Sequence, residues 1–124
     1  MADTPQGLCP RYHRAVELIG KRWAGAIVRT LLAGPARYHA LRAAIPDISD
    51  RMLSERLREL EEEDVITRSV IPETPVRVEY SLTPKGRDLE AAVLAIGEWA
   101  ERWFPAESPP NDQSMPKSRE TSRA

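Results

Sequence analysis

The stretch Ile48-Ser49-Asp50-Arg51-Met52-Leu53-Ser54-Glu55-Arg56-Leu57-Arg58-Glu59-Leu60 decides how the rest of the chain is read. A Ser side chain at the start of a helix accepts from a free amide of the first turn, so Ser49 reads as an N-cap. Asp50 then adds negative charge where the helix dipole is positive. Leu53, Leu57 and Leu60 recur at helical spacing and mark a buried side. At about 100° per residue, Arg51, Glu55, Arg58 and Glu62 fall on the opposite, exposed side. The result is a leucine-backed helix with arginines outside.

Upstream, Pro10 suits the first turn of a helix that carries Ala15, Val16, Leu18 and Ile19, and Gly20 breaks it. A second helix starts at about Trp23, with Ala24, Ile27, Val28, Leu31 and Leu32 as its apolar stripe, and Gly34-Pro35 ends it. A short third helix holds Tyr38, Leu41, Arg42 and Ile45 and stops at Pro46-Asp47. Downstream, residues 65–71 and 76–82 are rich in β-branched side chains and flank Pro72-Glu73-Thr74-Pro75, the pattern of a two-stranded ribbon with an extended tip. Thr83-Pro84 then opens a long last helix, in which Leu89, Val93, Ile96, Ala100 and Trp103 recur at 4,3,4,3 spacing, widened by Ala92 and Trp99. Four helices, a ribbon and a long helix give a mostly α fold class with a small β-ribbon wing, the order of a winged helix-turn-helix.

At 124 residues the chain is sized for one domain, expected over residues 9–104. Residues 1–8 are polar and unpatterned and read as a flexible start. From Pro105 onward, Pro109, Pro110 and Pro116 stand among Ser, Asn, Lys and Arg, a composition that reads as a disordered tail over 105–124. No apolar run reaches the roughly 18 residues of a membrane span, and the first residues lack the basic and apolar blocks of a secretory signal. The expectation is a cytoplasmic protein without a membrane partner. A single Cys permits no internal disulfide, and with only His13 and His39 beside it no metal-ligand spacing arises; no metal and no cofactor is expected.

The formal net charge is −1, yet its distribution is uneven. Residues 9–60 hold ten basic side chains against five acidic ones, and Glu61-Glu62-Glu63-Asp64 follows at once. Such asymmetry gives a nearly neutral chain one basic face, which is what a phosphate backbone meets. Enzyme chemistry finds no support: there is no nucleophile-base set and no Gly-rich phosphate loop, and the acidic run reads as a solvated helix end. His39 reads as a surface residue or one close to a phosphate.

These blocks together resemble the HxlR-type helix-turn-helix regulators, a bacterial family related to the MarR-like winged helices. The likeness runs from Cys9 to Trp103. Cys9-Pro10 resembles the family's Cys-Pro; Ile19-Gly20-Lys21-Arg22-Trp23 its Ile-Gly-x-Lys-Trp; and Gly34-Pro35-Ala36-Arg37-Tyr38 its Gly-x-x-Arg-Phe. Ile48 to Ser54 with Leu57-Arg58-Glu59-Leu60-Glu61 resembles Ile-Ser-x-Lys-Met-Leu-Thr and Leu-Arg-Glu-Leu-Glu, and residues 75–83 with Gly86 resemble the wing-to-helix signature. Asp64 departs from a usual Gly, for which a small stability penalty is expected.

The resemblance implies transcription regulation by a homodimer on a pseudo-palindromic operator in double-stranded DNA. On this reading Arg51 leads the base contacts, because an arginine can pair two donors with guanine. Ser49, Asp50, Ser54, Glu55 and Arg58 stand beside it. Arg37 and Arg42 suit phosphates. Arg77 either reaches a minor groove or phosphate, or pairs on the strand with Glu73 or Glu79. The dimer interface expected from the first and last helices comprises Val16, Ile19, Leu89, Val93, Ile96, Trp99 and Trp103; the other reading of that stripe is a cap over the chain's own core. Cys9, at a helix N-terminus near Arg11 and Arg14, is either a thiolate sensor of oxidants and electrophiles, as the resemblance implies from the matching Cys of several family members, or a partly buried apolar packing residue. A small-molecule or oxidant effector follows from the first option. A winged helix used only to bind proteins is the rival function.

Overall fold

In a computed structural model of the chain, residues 9–106 are described. They fall in two compact units that divide between Leu94 and Ala95. The flexible start expected at 1–8, and the expected tail from residue 107 onward, lie outside the described residues.

Helix α1 (Pro10–Ile19) begins on Cys9, with Pro10 in the first turn where a missing N–H is no loss, and ends at Gly20. Helix α2 (Ala24–Leu32) starts from Trp23, whose backbone is left-handed at φ 79°. Such a conformation is rare for a bulky residue. The Arg22 guanidinium lies 4.6 Å from the centre of the Trp23 ring, and the ring packs against the core. After α2 the chain turns through Gly34, whose φ of 146° favours a residue without a Cβ.

Helix α3 (Tyr38–Ala44) and helix α4 (Asp50–Glu62) form the helix-turn-helix. Ser49 caps α4 as its residue type suggests, its hydroxyl accepting from the Met52 N–H at 3.1 Å. The helix ends through Glu63 into Asp64, whose φ of 63° is the left-handed turn that the sequence implied at this position. Strands β1 (Ile66–Ile71) and β2 (Arg77–Leu82) pair antiparallel, Ile66 opposite Leu82 and Ile71 opposite Arg77. Ala36 adds a third short edge, exchanging backbone hydrogen bonds with Tyr80 at 2.9 and 2.8 Å.

The long last helix is two helices, α5 (Pro84–Arg87) and α6 (Glu90–Trp103). The reason lies at the start of the segment. Thr83 caps α5 by accepting from the Gly86 N–H at 3.0 Å and directs its own hydroxyl to the carbonyls of Asp64 and Val65. That short helix is thereby fixed against the start of β1, and the chain turns at Asp88 and Leu89 before α6. The Leu89 N–H to Gly86 and the Val93 N–H to Leu89 carry hydrogen bonding across the turn, so the apolar period runs on through it.

The core joins Ile27, Val28 and Leu31 of α2 to Leu41, Ile45 and Ile48, then to Leu53, Leu57 and Leu60 of α4, with Val65, Ile66, Leu82 and Val93 closing it. Each fully buried leucine or isoleucine here contributes roughly 1.5–3 kcal/mol. In the unit from Ala95 onward, Trp99 and Phe104 meet edge to face at 5.4 Å, and Ile96, Trp99, Trp103 and Phe104 are exposed.

Candidate nucleic-acid interface

The buried Leu53, Leu57 and Leu60 fix the rotation of α4, and the helix period then turns Arg51, Ser54 and Arg58 outward, all three exposed. Among the described residues Arg51 makes no ion pair. Arg58 reaches along its own helix to Glu62 at 3.3 Å, an exposed i,i+4 pair of small energetic weight. Glu55 is half-buried, further toward the core than its place on the outer face suggested.

The first turn of α4 is tied to α3. The Asp50 carboxylate receives the Arg42 guanidinium and, at 3.0 Å, the Tyr38 hydroxyl. The same hydroxyl lies 3.0 Å from the Asp50 carbonyl and 3.4 Å from the Ser54 hydroxyl. The Arg42 hydrogen bond, then that of Tyr38, holds the Asp50 carboxyl below the usual carboxylate range. Arg42 and Asp50, both candidates for DNA contact, are thus partners of each other. Arg37, at the start of α3, is exposed and unpaired among the described residues.

On the ribbon, Arg77 lies 3.1 Å from Glu73 and 3.4 Å from Glu79, the paired arrangement that the sequence left open. The exposed cation of the ribbon without an ion pair among the described residues is Arg68 on β1. Sequence reading passed over it as one residue of a β-branched run, although a lone Arg within such a run marks the wet face.

Behind the outward face, α4 is stapled to the N-terminal segment. Arg56 donates through Nε to the Arg22 carbonyl at 2.9 Å and pairs with Glu59, which also meets Lys21 at 3.4 Å. Arg14 of α1 reaches Glu63 at 3.0 Å. The acidic run at the end of α4 is therefore partly engaged.

Cys9 is exposed in the single chain. The backbone N–H groups of Tyr12 and then Arg11, with help from the Arg11 side chain, lower its thiol pKa. Of the residues expected at a dimer interface, Val16, Ile96, Trp99 and Trp103 are exposed and Ile19 and Leu89 half-buried. Val93, expected at that interface, is instead buried in the core of its own chain. Among the described residues no group of three or more His, Cys, Asp or Glu could hold a metal ion, and no helix is long and apolar enough to cross a membrane.

The HxlR-like helix-turn-helix family matches residues 18–108. The chain is 52% identical to the uncharacterised HTH-type transcriptional regulator YvaP of Bacillus subtilis over 97 residues, which are 78% of this chain and 90% of YvaP. Among solved structures, the reduced form of the B. subtilis transcriptional regulator YodB is similar at a TM-score of 0.72 and 42% identity, covering 82% of this chain and all of that one. YodB has also been solved treated with diamide and bound to quinone. The redox regulator HypR in its oxidised form is similar at a TM-score of 0.74 and 38% identity, over 79% of this chain and all of HypR. Sequence, fold and the outward helix agree: this chain is a member of the HxlR-like helix-turn-helix family of transcriptional regulators.

Proposed function

We propose that the chain regulates transcription as a homodimer that lays two copies of α4 into successive major grooves of a pseudo-palindromic duplex. The carrying observation is the exposed Arg51, without an ion pair among the described residues, in the first turn of a helix whose Leu53, Leu57 and Leu60 are buried on the opposite side. The first residues of a recognition helix approach base edges most closely, and a bidentate Arg–guanine contact is worth about 1–3 kcal/mol of discrimination. Ser49, Ser54, Glu55 and Arg58 serve beside Arg51. Asp50 and Arg42 serve as a pair that sets the angle of α4, while Arg37 and the ribbon cations Arg68 and Arg77 meet phosphates. Residues 9–104 are the operative unit, and Val16, Ile96, Trp99 and Trp103 supply apolar contact between protomers. Two-fold symmetry then sets the half-sites about 34–36 Å apart.

Titration of duplex DNA at several salt concentrations tests this. Affinity falling steeply with salt, a preferred sequence, and loss of that preference when Arg51 and Arg58 are both replaced by Ala are expected. A protein that ignores every duplex at low ionic strength overturns the DNA reading and leaves a protein-binding module.

A second reading concerns the effector. The exposed Cys9 thiol, poised toward thiolate at the start of α1, matches an oxidant or electrophile as signal, and the likeness to YodB and HypR points the same way. With one Cys per chain, the products open to it are a disulfide to the partner protomer or a mixed adduct. Equal response of wild type and Cys9→Ser to oxidant, titrated on one operator, excludes it.

A further inference from the structure

The Tyr38 side chain is half-buried, its ring against the core, while its hydroxyl reaches the first turn of α4. That hydroxyl faces three oxygens: the Asp50 carboxylate and carbonyl, each at 3.0 Å, and the Ser54 hydroxyl at the longer distance of 3.4 Å. A phenol has one proton to give. An ionised carboxylate and a carbonyl only accept, so both Asp50 atoms compete for the Tyr38 proton. Toward Ser54 the Tyr38 oxygen is left to accept. Ser54 donating to Tyr38 would turn its proton inward and leave its lone pairs facing outward. Ser49 has the opposite polarity, since its oxygen accepts from the Met52 N–H and its own proton has no acceptor among the described residues.

We infer that Tyr38 is a positioning residue that sets base preference at the first turn of α4, by orienting the Ser54 hydroxyl as a hydrogen-bond acceptor. An acceptor in the major groove matches the amino group of adenine or cytosine and opposes the keto oxygens of guanine and thymine. The reading rests on the DNA-binding role of α4. It gives Tyr38 a part in specificity without any contact to DNA, and it gives Arg42 and Asp50 the task of holding Tyr38's proton away from Ser54.

The test selects bound duplexes from a random pool with wild type, Tyr38→Phe and Ser54→Ala. Tyr38→Phe keeps the ring and removes the hydroxyl. Wild type is expected to prefer an amino-bearing base at one position of each half-site. Both variants should lose that preference about three- to tenfold, and Tyr38→Phe should do so without weakening binding to unrelated duplex. Carboxyl NMR titration of the free protein should show the Asp50 pKa rising in Tyr38→Phe and not in Ser54→Ala. The inference is overturned if Tyr38→Phe selects the same bases as wild type, or if it weakens binding to all duplexes alike, as a merely structural role would. Wild type that retains no duplex at low ionic strength sinks the DNA-binding role itself, whereas wild type that binds duplexes without preference overturns this inference alone.

Discussion

Gly86 backs directly onto the carbonyl of Val65: a Cβ built on it would stand 2.0 Å from that oxygen. The opposing atom is backbone at the start of β1, so it cannot swing aside as a side chain would. Gly86→Ala must push α5 off the sheet and weaken the Thr83 cap. A loss of about 2–4 kcal/mol follows, of the order seen for overpacking in a rigid site. For a unit of this size that lowers the melting temperature by roughly 10 °C or more, measured by circular dichroism.

Asp64 is the reverse case. It occupies a left-handed backbone at φ 63°, which a Cβ disfavours and a glycine does not. The Thr83 hydrogen bond goes to its carbonyl at 2.6 Å, so replacing the side chain leaves that bond in place. Asp64→Gly is expected to stabilise by up to about 1 kcal/mol, reduced by the greater freedom of glycine in the unfolded chain. Asp64→Ala is expected to destabilise. Opposite signs in urea denaturation check the pair.

The Asp50 carboxyl sits below its ordinary pKa because Arg42 and Tyr38 hydrogen-bond its charged form. A folded pKa below the unfolded value means that the unfolded chain takes up the proton first as pH falls. The stabilisation is therefore present above the unfolded carboxylate pKa of about 4 and is lost as pH drops through the folded value. Asp50→Asn should be less stable than wild type near pH 6, and the gap should close in the acid limb. The side chain is exposed, so the difference is small and shrinks with salt. A gap that widens on acidification contradicts this assignment.

Cys9 should be alkylated by iodoacetamide with an inflection at lower pH in the folded chain than in the same chain in urea, because the backbone donors of Tyr12 and Arg11 exist only in the fold. Coincident profiles would show that the start of α1 does nothing for the thiol.

Much of the architecture was legible because its signals are local. The cap at Ser49, the leucines of α4 and the glycine at position 34 each state a backbone preference within a few residues. The break between α5 and α6 was not legible. It depends on Thr83 and Gly86 meeting Asp64 and Val65, a contact between distant positions that leaves the apolar period intact. Val93, grouped with the dimer face by its spacing, is buried in the core of its own chain. The third edge at Ala36 was equally hidden, since one pair of hydrogen bonds needs no strand propensity. For the candidate site, residue type named Arg51 and Arg58, but not which cations are already spoken for. The carboxylate neighbour of Arg42 was not foreseen, and of the two readings left open for Arg77 the structure has its ion pairs with Glu73 and Glu79.

The Ala36–Tyr80 bridge also limits how the ribbon can move. Two backbone hydrogen bonds fasten β2 near its middle to the residue that leads into α3, so the inner half of the hairpin travels with the helix-turn-helix as one body. Any bending to suit a narrower or wider groove falls to the outer half, from Glu79 round the Pro72–Pro75 tip to Ser69. The outer half is thus the part left to flex, while the inner half keeps its place beside the helix-turn-helix.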